Sequence, residues 1–240
     1  MEIIQLINIA NEELNNIEKL IKWALKELGI LDADVIIYIT DNHNRVREAL
    51  GIEKTTHEEW PIKYMNVEDM NIISIVPDRL LQLSDETRNI MILREVALMR
   101  VMSDPTLISI WNAPPNVNDP IIHRVSLALL RRVVDLIIAQ SSSLIQHLIA
   151  AFNKDELRNI LLTCQSTIDC AITALALDVP LSIELSGNMG LGRALWSEVT
   201  KNVNNDFLRK YDDFRDFVRN NFNAENMYNY LLMLFRKTPS

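Results

Sequence analysis

The sequence predicts an α+β protein, with a small mixed β-sheet and covering helices in the first half and a mostly helical second half. Three observations carry this. Glycine is scarce, at 5 of 240 residues, roughly 2% where about 7% is usual, which disfavours architectures built from left-handed turns. Strand-like β-branched runs are confined to the first 80 residues. Beyond them, apolar residues recur at three- and four-residue intervals almost to the end.

Each element follows in order. Residues 10–28 place Leu14, Ile17, Leu20, Ile21, Ala24, Leu25 and Leu28 on one helical face, and Gly29 supplies a stop. Residues 34–40, DVIIYIT, read as a strand, and residues 45–50 as a short helix stopped by Gly51. A weaker strand candidate covers 61–65, and a strong one covers 71–76 and ends at Pro77. Ser84 offers an N-cap for a long apolar helix to Met102, which Asp104-Pro105 stops. The stretch 106–119, with Pro114 and Pro115 paired, reads as a loop, and Asp119-Pro120 opens a helix to about Gln140. Asn153 with Glu156 suggests a capping box for one helix reaching Leu177. A short LSIEL segment and a GNMGLG turn follow, then helices over 194–203, 206–219 and 223–235. The expected division is 1–140 for the mixed unit and 141–240 for the helical extension.

Composition narrows the functional classes. The 24 basic and 32 acidic residues give a net charge of -8, which opposes binding to nucleic-acid phosphates or anionic membranes. The N-terminus lacks the pattern of a signal peptide, and residues 136–153 are too polar to span a bilayer, so a cytoplasmic location is expected. Cys164 and Cys170 fall on different sides of the single helix expected there, which predicts reduced thiols.

The segment 71–102, NIISIVPDRLLQLSDETRNIMILREVALMRVM, is a strand, a connecting turn and a long buried helix. It resembles the core of the zincin metallopeptidases, the minimal gluzincin type in particular, over roughly residues 34–140. In that family the helix carries HExxH, whose histidines bind zinc one turn apart while the glutamate serves the metal-bound water. Here the matching residues are Arg94, Glu95, Val96, Ala97 and Leu98. The glutamate stays and both histidines are gone.

The resemblance therefore implies a fold without its chemistry. A guanidinium does not ligate zinc and leucine has no donor atom, so no metal, no cofactor and no peptidase activity are expected. A helical projection places Arg94 within the widest apolar arc, where a charge needs a partner. Asp135 lies about where the resemblance places the acidic third ligand, and the expectation is an Arg94–Asp135 ion pair standing in place of the metal. Two plainer readings compete: Asp135 paired with Arg131 or Arg132 in a surface stripe, and Arg94 reaching past the core to water.

Other candidates are weaker. The four histidines, His43, His57, His123 and His147, share no helical turn, and the HEE at 57–59 reads as a polar loop. Gly187, Gly190 and Gly192 with Arg193 suggest a phosphate-binding loop at a helix N-terminus, though the Walker A lysine and the GxGxxG spacing are both absent and an ordinary turn also explains them. The aromatic stripe of Phe207, Tyr211, Phe214, Phe217 and Phe222 has the spacing of helix packing and leaves room for a protein partner or a second copy. The favoured expectation is a non-catalytic binding, regulatory or assembly module. A phosphate- or nucleotide-binding protein and a metal-dependent hydrolase with other ligands are the alternatives.

Overall fold

The computed structural model describes residues 1–30, 33–56, 59–114, 117 and 119–235. The expected α+β class is what forms. The chain divides into two compact units, Met1–Ser103 and Asp104–Ser240, a boundary earlier than the expected 140. The long helix that opens at Pro120 thus belongs to the second unit.

The first unit holds four strands, β1 (Glu2–Gln5), β2 (Val35–Ile39), β3 (Ile62–Val67) and β4 (Met70–Ile75), in the order β1-β2-β4-β3. β1, β2 and β4 run parallel and β3 is an antiparallel edge. Helix α1 (Asn11–Glu27) crosses from β1 to β2, and α2 (His43–Ala49) follows β2. α1 ends as its sequence requires: Gly29 takes φ +69°, and Ile30 N–H donates to Leu25 O, closing the left-handed cap. β3 and β4 are joined through Glu68 and Asp69, both at positive φ, a two-residue turn whose twist matches the strands. Helix α3 (Pro77–Leu81) then leads to α4 (Asp85–Ser103), which packs against α1 and β3. Its first turn is capped by Ser84 Oγ, which accepts from Thr87 N–H.

The sheet is covered on both faces. Val35, Ile37 and Ile39 of β2 and Ile73 and Ile75 of β4 are buried on one side, while Tyr38, Val46, Met65 and Ile72 form a cluster on the α2 side.

The second unit contains α5 (Pro105–Trp111), α6 (Pro120–Ala139), α7 (Ile145–Ala150), α8 (Lys154–Thr163), α9 (Ile168–Leu177), α10 (Val179–Leu185), α11 (Met189–Thr200), α12 (Asp206–Val218) and α13 (Ala224–Phe235). α6 is its axis and packs against α5, α7, α9, α10 and α13. The expected aromatic stripe is a packing surface: Phe207, Tyr211 and Phe214 are buried, with centroids about 6 Å apart.

Several expectations need correction. β1 was not foreseen. α5 replaces the first part of the expected loop because Asp104 both ends α4 and caps α5, accepting from Thr106 and Leu107 N–H, with Pro105 in the first turn. The LSIEL segment is helical, since Asp178 caps α10 and Pro180 sits in its first turn. The single helix expected to Leu177 is two helices. Cys164 ends α8 in an extended conformation, Thr167 caps α9, and Cys164 and Cys170 form a disulfide where reduced thiols were expected. The break is what brings their Cα atoms to 5.9 Å.

Candidate functional site

The helix that carries the family resemblance buries Ile90, Ile92, Leu93, Val96, Ala97, Met99 and Val101. Arg94, Glu95 and Leu98 are not among them. All three lie on its half-buried flank. The apolar arc is therefore centred away from Arg94, and the projection placed it too deep.

Glu95 points at the sheet edge. Its Oε2 accepts the backbone N–H of Tyr64 in β3 at 2.6 Å. Tyr64 lies opposite Ile73 of β4, and this N–H is supplied with an acceptor by the helix instead of by a fifth strand. Burial drives the Glu95 carboxyl up to about 7, against the weaker opposing effects of the Tyr64 N–H and the charges of Lys63 and Arg94. Part of the residue is exposed while its carboxyl reaches inward. A neutral form of Glu95 is thus accessible near neutral pH.

Asp135 lies on α6 in the second unit, almost wholly buried. Its Oδ2 accepts from Arg132 Nη2 at 2.8 Å, and the same nitrogen donates to Ala176 O at 3.0 Å. The spacing is the three-residue one of the surface-stripe reading, but the pair is buried and not on the surface. Asp135 thus has one cation within its own unit.

The glycine segment is not a loop. Gly187 alone has a left-handed conformation, with φ +98°. Asn188 stands at the N-cap of α11, and Gly190 and Gly192 lie inside that helix. Gly192 serves packing: a Cβ there would meet Glu184 Cγ at 2.4 Å and Pro180 O at 2.7 Å. Arg193 is exposed on the surface of α11. Of the three glycines, only Gly192 lets α10 and α11 approach.

Two polar clusters were missed in the sequence. In the first unit His43, fully buried, lies 2.6 Å from Ser74 Oγ through Nδ1 and 2.6 Å from Trp60 O through Nε2. A carbonyl only accepts, so Nε2 carries a proton and donates. With a neutral ring, Nδ1 accepts from the Ser74 hydroxyl. Ser74 is fully buried as well, so the pair clamps α2, β4 and the start of β3 together and offers no accessible nucleophile.

The second cluster surrounds Arg215. Its Nε donates to Asp178 Oδ2 at 2.8 Å and its Nη2 to Glu184 Oε1 at 3.0 Å, while Tyr211 Oη donates to Asp178 Oδ2 at 3.1 Å. The Trp196 ring lies 3.8 Å from the guanidinium carbon. Burial works against the Arg215 charge, but Asp178 and Glu184 outweigh it and hold its pKa above the ordinary value. Burial, then Asp178, pushes the Tyr211 phenol up. The sequence signal was Tyr211, Arg215 and Arg219 at four-residue spacing, and nothing in it pointed to acids on α10.

Among the described residues no group of three or more His, Cys, Asp or Glu is placed to hold a metal ion, and no helix is long and apolar enough to cross a membrane. His57 and Glu58 of the HEE segment lie outside the described residues. No protein-family model, curated protein or solved structure matches this chain.

Proposed function

We propose that this is a non-catalytic protein with a zincin-like first unit, acting in the cytoplasm as a binding, regulatory or assembly module for a protein partner or a second copy. The engagement of Glu95 carries the reading. A glutamate serving a metal-bound water needs its carboxylate free to face that water. Here one carboxyl oxygen, Oε2, is held by the Tyr64 amide of β3, and the positions flanking it in the motif, Arg94 and Leu98, offer no metal donor. The order of strand, short helix, antiparallel edge strand, parallel strand and long helix supports the family likeness. Arg94 supplies a cation beside Glu95. In this proposal the Arg94–Asp135 pair stands in place of the metal, with Arg132 as a second cation beside Asp135.

Metal analysis of untagged protein tests the absence of catalysis: stoichiometric zinc overturns it. The ancestry is tested by Arg94→His with Leu98→His. Zinc bound by the double variant and not by the parent supports a retained site geometry, and no gain removes the zincin-like reading of this helix.

A further inference from the structure

We infer that the Cys164–Cys170 bridge is a redox-modification site that selects between two conformations of the α8–α9 segment. The inference is independent of the zincin-like reading and rests on a conflict between sequence pattern and covalent structure. Leu157, Leu161, Cys164, Ile168, Ala171 and Leu175 follow one another at spacings of four, three, four, three and four. That is an unbroken helical face, with no phase shift where the helix stops. No glycine or proline lies between Asn153 and Leu177. The local sequence therefore favours one helix, yet α8 ends at Thr163 and α9 begins at Ile168.

The bridge and the continuous helix exclude each other. Six residues along an α-helix rise about 9 Å and turn about 240°, separating the Cα atoms by roughly 10 Å. A disulfide needs less than about 7 Å, and the pair stands at 5.9 Å with the break. The same four residues, 164–167, thus have a bridged, bent state and a thiol state in which they can wind.

α8 packs on α9 and α11 and α9 on α6, while the corner itself is held by few hydrogen bonds. Asn205 Nδ2 donates to Leu161 O at 2.7 Å, Ser166 Oγ donates to Asp206 Oδ2 at 3.1 Å, and Thr167 Oγ1 accepts from Cys170 N–H at 3.3 Å. The first two tie the corner to the start of α12. Both cysteines are half-buried, and the neighbouring Gln165 and Thr167 are exposed, so a small thiol can reach the sulfurs. In a reducing compartment, the one proposed above, bridges in ordinary proteins are usually transient and redox-sensing.

The reductant is a dithiol. One of its thiolates attacks a bridge sulfur, forming a mixed disulfide and releasing the other cysteine as a thiolate, which takes up a proton. The dithiol's second thiolate then displaces the first cysteine. Two electrons pass to the protein, leaving Cys164 and Cys170 as thiols and the reagent as a cyclic disulfide.

The test is hydrogen exchange with mass spectrometry on the full chain, oxidised and after dithiothreitol, with thiols counted by alkylation. Cys164→Ser with Cys170→Ser mimics the reduced state without reductant. In the reduced protein, amides of residues 165–168 are expected to exchange about tenfold or more slowly as they enter helix, reversibly on reoxidation, while α6 and α12 keep their protection. Three results overturn the inference: the same exchange in both redox states, loss of protection throughout the second unit, or alkylation showing no bridge in the oxidised protein. If the double variant fails to fold, stepwise reduction of the parent gives the same readout.

Discussion

Glu95 and Tyr64 join the long helix of the first unit to its sheet edge: the carboxyl Oε2 of one accepts the backbone N–H of the other at 2.6 Å. Tyr64 sits on the antiparallel edge strand, where an outward N–H would otherwise need water or another chain. A protonated carboxyl can still accept this bond through its carbonyl oxygen, so the contact survives neutralisation. Burial favours that neutral form.

The first prediction is a pH dependence. The Glu95 pKa is raised from 4.5 to about 7, so the folded protein binds the extra proton more tightly than the unfolded chain. The stabilisation is fully present below pH 4.5 and is lost as pH rises through 7. The shift corresponds to at most about 3–4 kcal/mol. Glu95→Gln keeps an acceptor for Tyr64 and removes the titration. Denaturant melts from pH 4 to 8 should show the parent losing stability relative to this variant as pH rises. A constant difference would mean that burial leaves the Glu95 pKa where the unfolded chain has it.

The second prediction compares two glycines in one helix. Gly190 has nothing within 4 Å of a built Cβ, whereas Gly192 would meet Glu184 and Pro180 well inside contact distance. Gly190→Ala should stabilise by about 0.5–1 kcal/mol through helix propensity. Gly192→Ala should instead destabilise by about 1–3 kcal/mol, because the close packing of α10 on α11 must open. Thermal melts of the two variants check the opposite signs.

Three of the four strands and the long helices α1, α4 and α6 were legible because their periodicity survives in sequence: the β-branched run 35–39 and the capped run after Ser84 fold as read. What failed has definite causes. One residue can end a helix and begin another, as Asp104 and Asp178 do, so stop signals at 104–105 and before Pro180 concealed α5 and α10. The break between Cys164 and Ile168 runs against an uninterrupted apolar pattern and accompanies a covalent bond that periodicity does not encode. Of the candidate site, Glu95 was singled out as a motif position, and its acceptor role depends on the placement of a strand 31 residues away. The burial of the Asp135–Arg132 pair was not legible, because its three-residue spacing is also that of an ordinary surface stripe.

The third prediction concerns His43. Its ring fills a fully buried position and joins Ser74 to the Trp60 carbonyl. His43→Ala leaves a cavity and takes a partner from the buried Ser74 hydroxyl and the part-buried Trp60 carbonyl, which should cost about 3–5 kcal/mol. A loss of under about 1 kcal/mol in urea unfolding would mean that water replaces the ring at little cost. His43→Gln, which presents a donor and an acceptor in a smaller side chain, should recover part of the loss.

The fourth prediction tests why arginine occupies position 215. Its planar guanidinium reaches Asp178 with one edge and Glu184 with the other while its face rests on Trp196. A lysine keeps the charge but has a single compact ammonium that cannot span both acids and stack at once. Arg215→Lys should therefore leave one of two buried carboxylates poorly compensated and destabilise the second unit by about 2–4 kcal/mol. Arg219 also donates to Glu184, at 2.7 Å, so the deficit should fall chiefly on Asp178. Asp178→Asn, introduced on top of Arg215→Lys, should then cost less than it does alone. A double-mutant cycle by denaturant unfolding measures that coupling, and additive losses would show that Asp178 and Arg215 do not act as a pair.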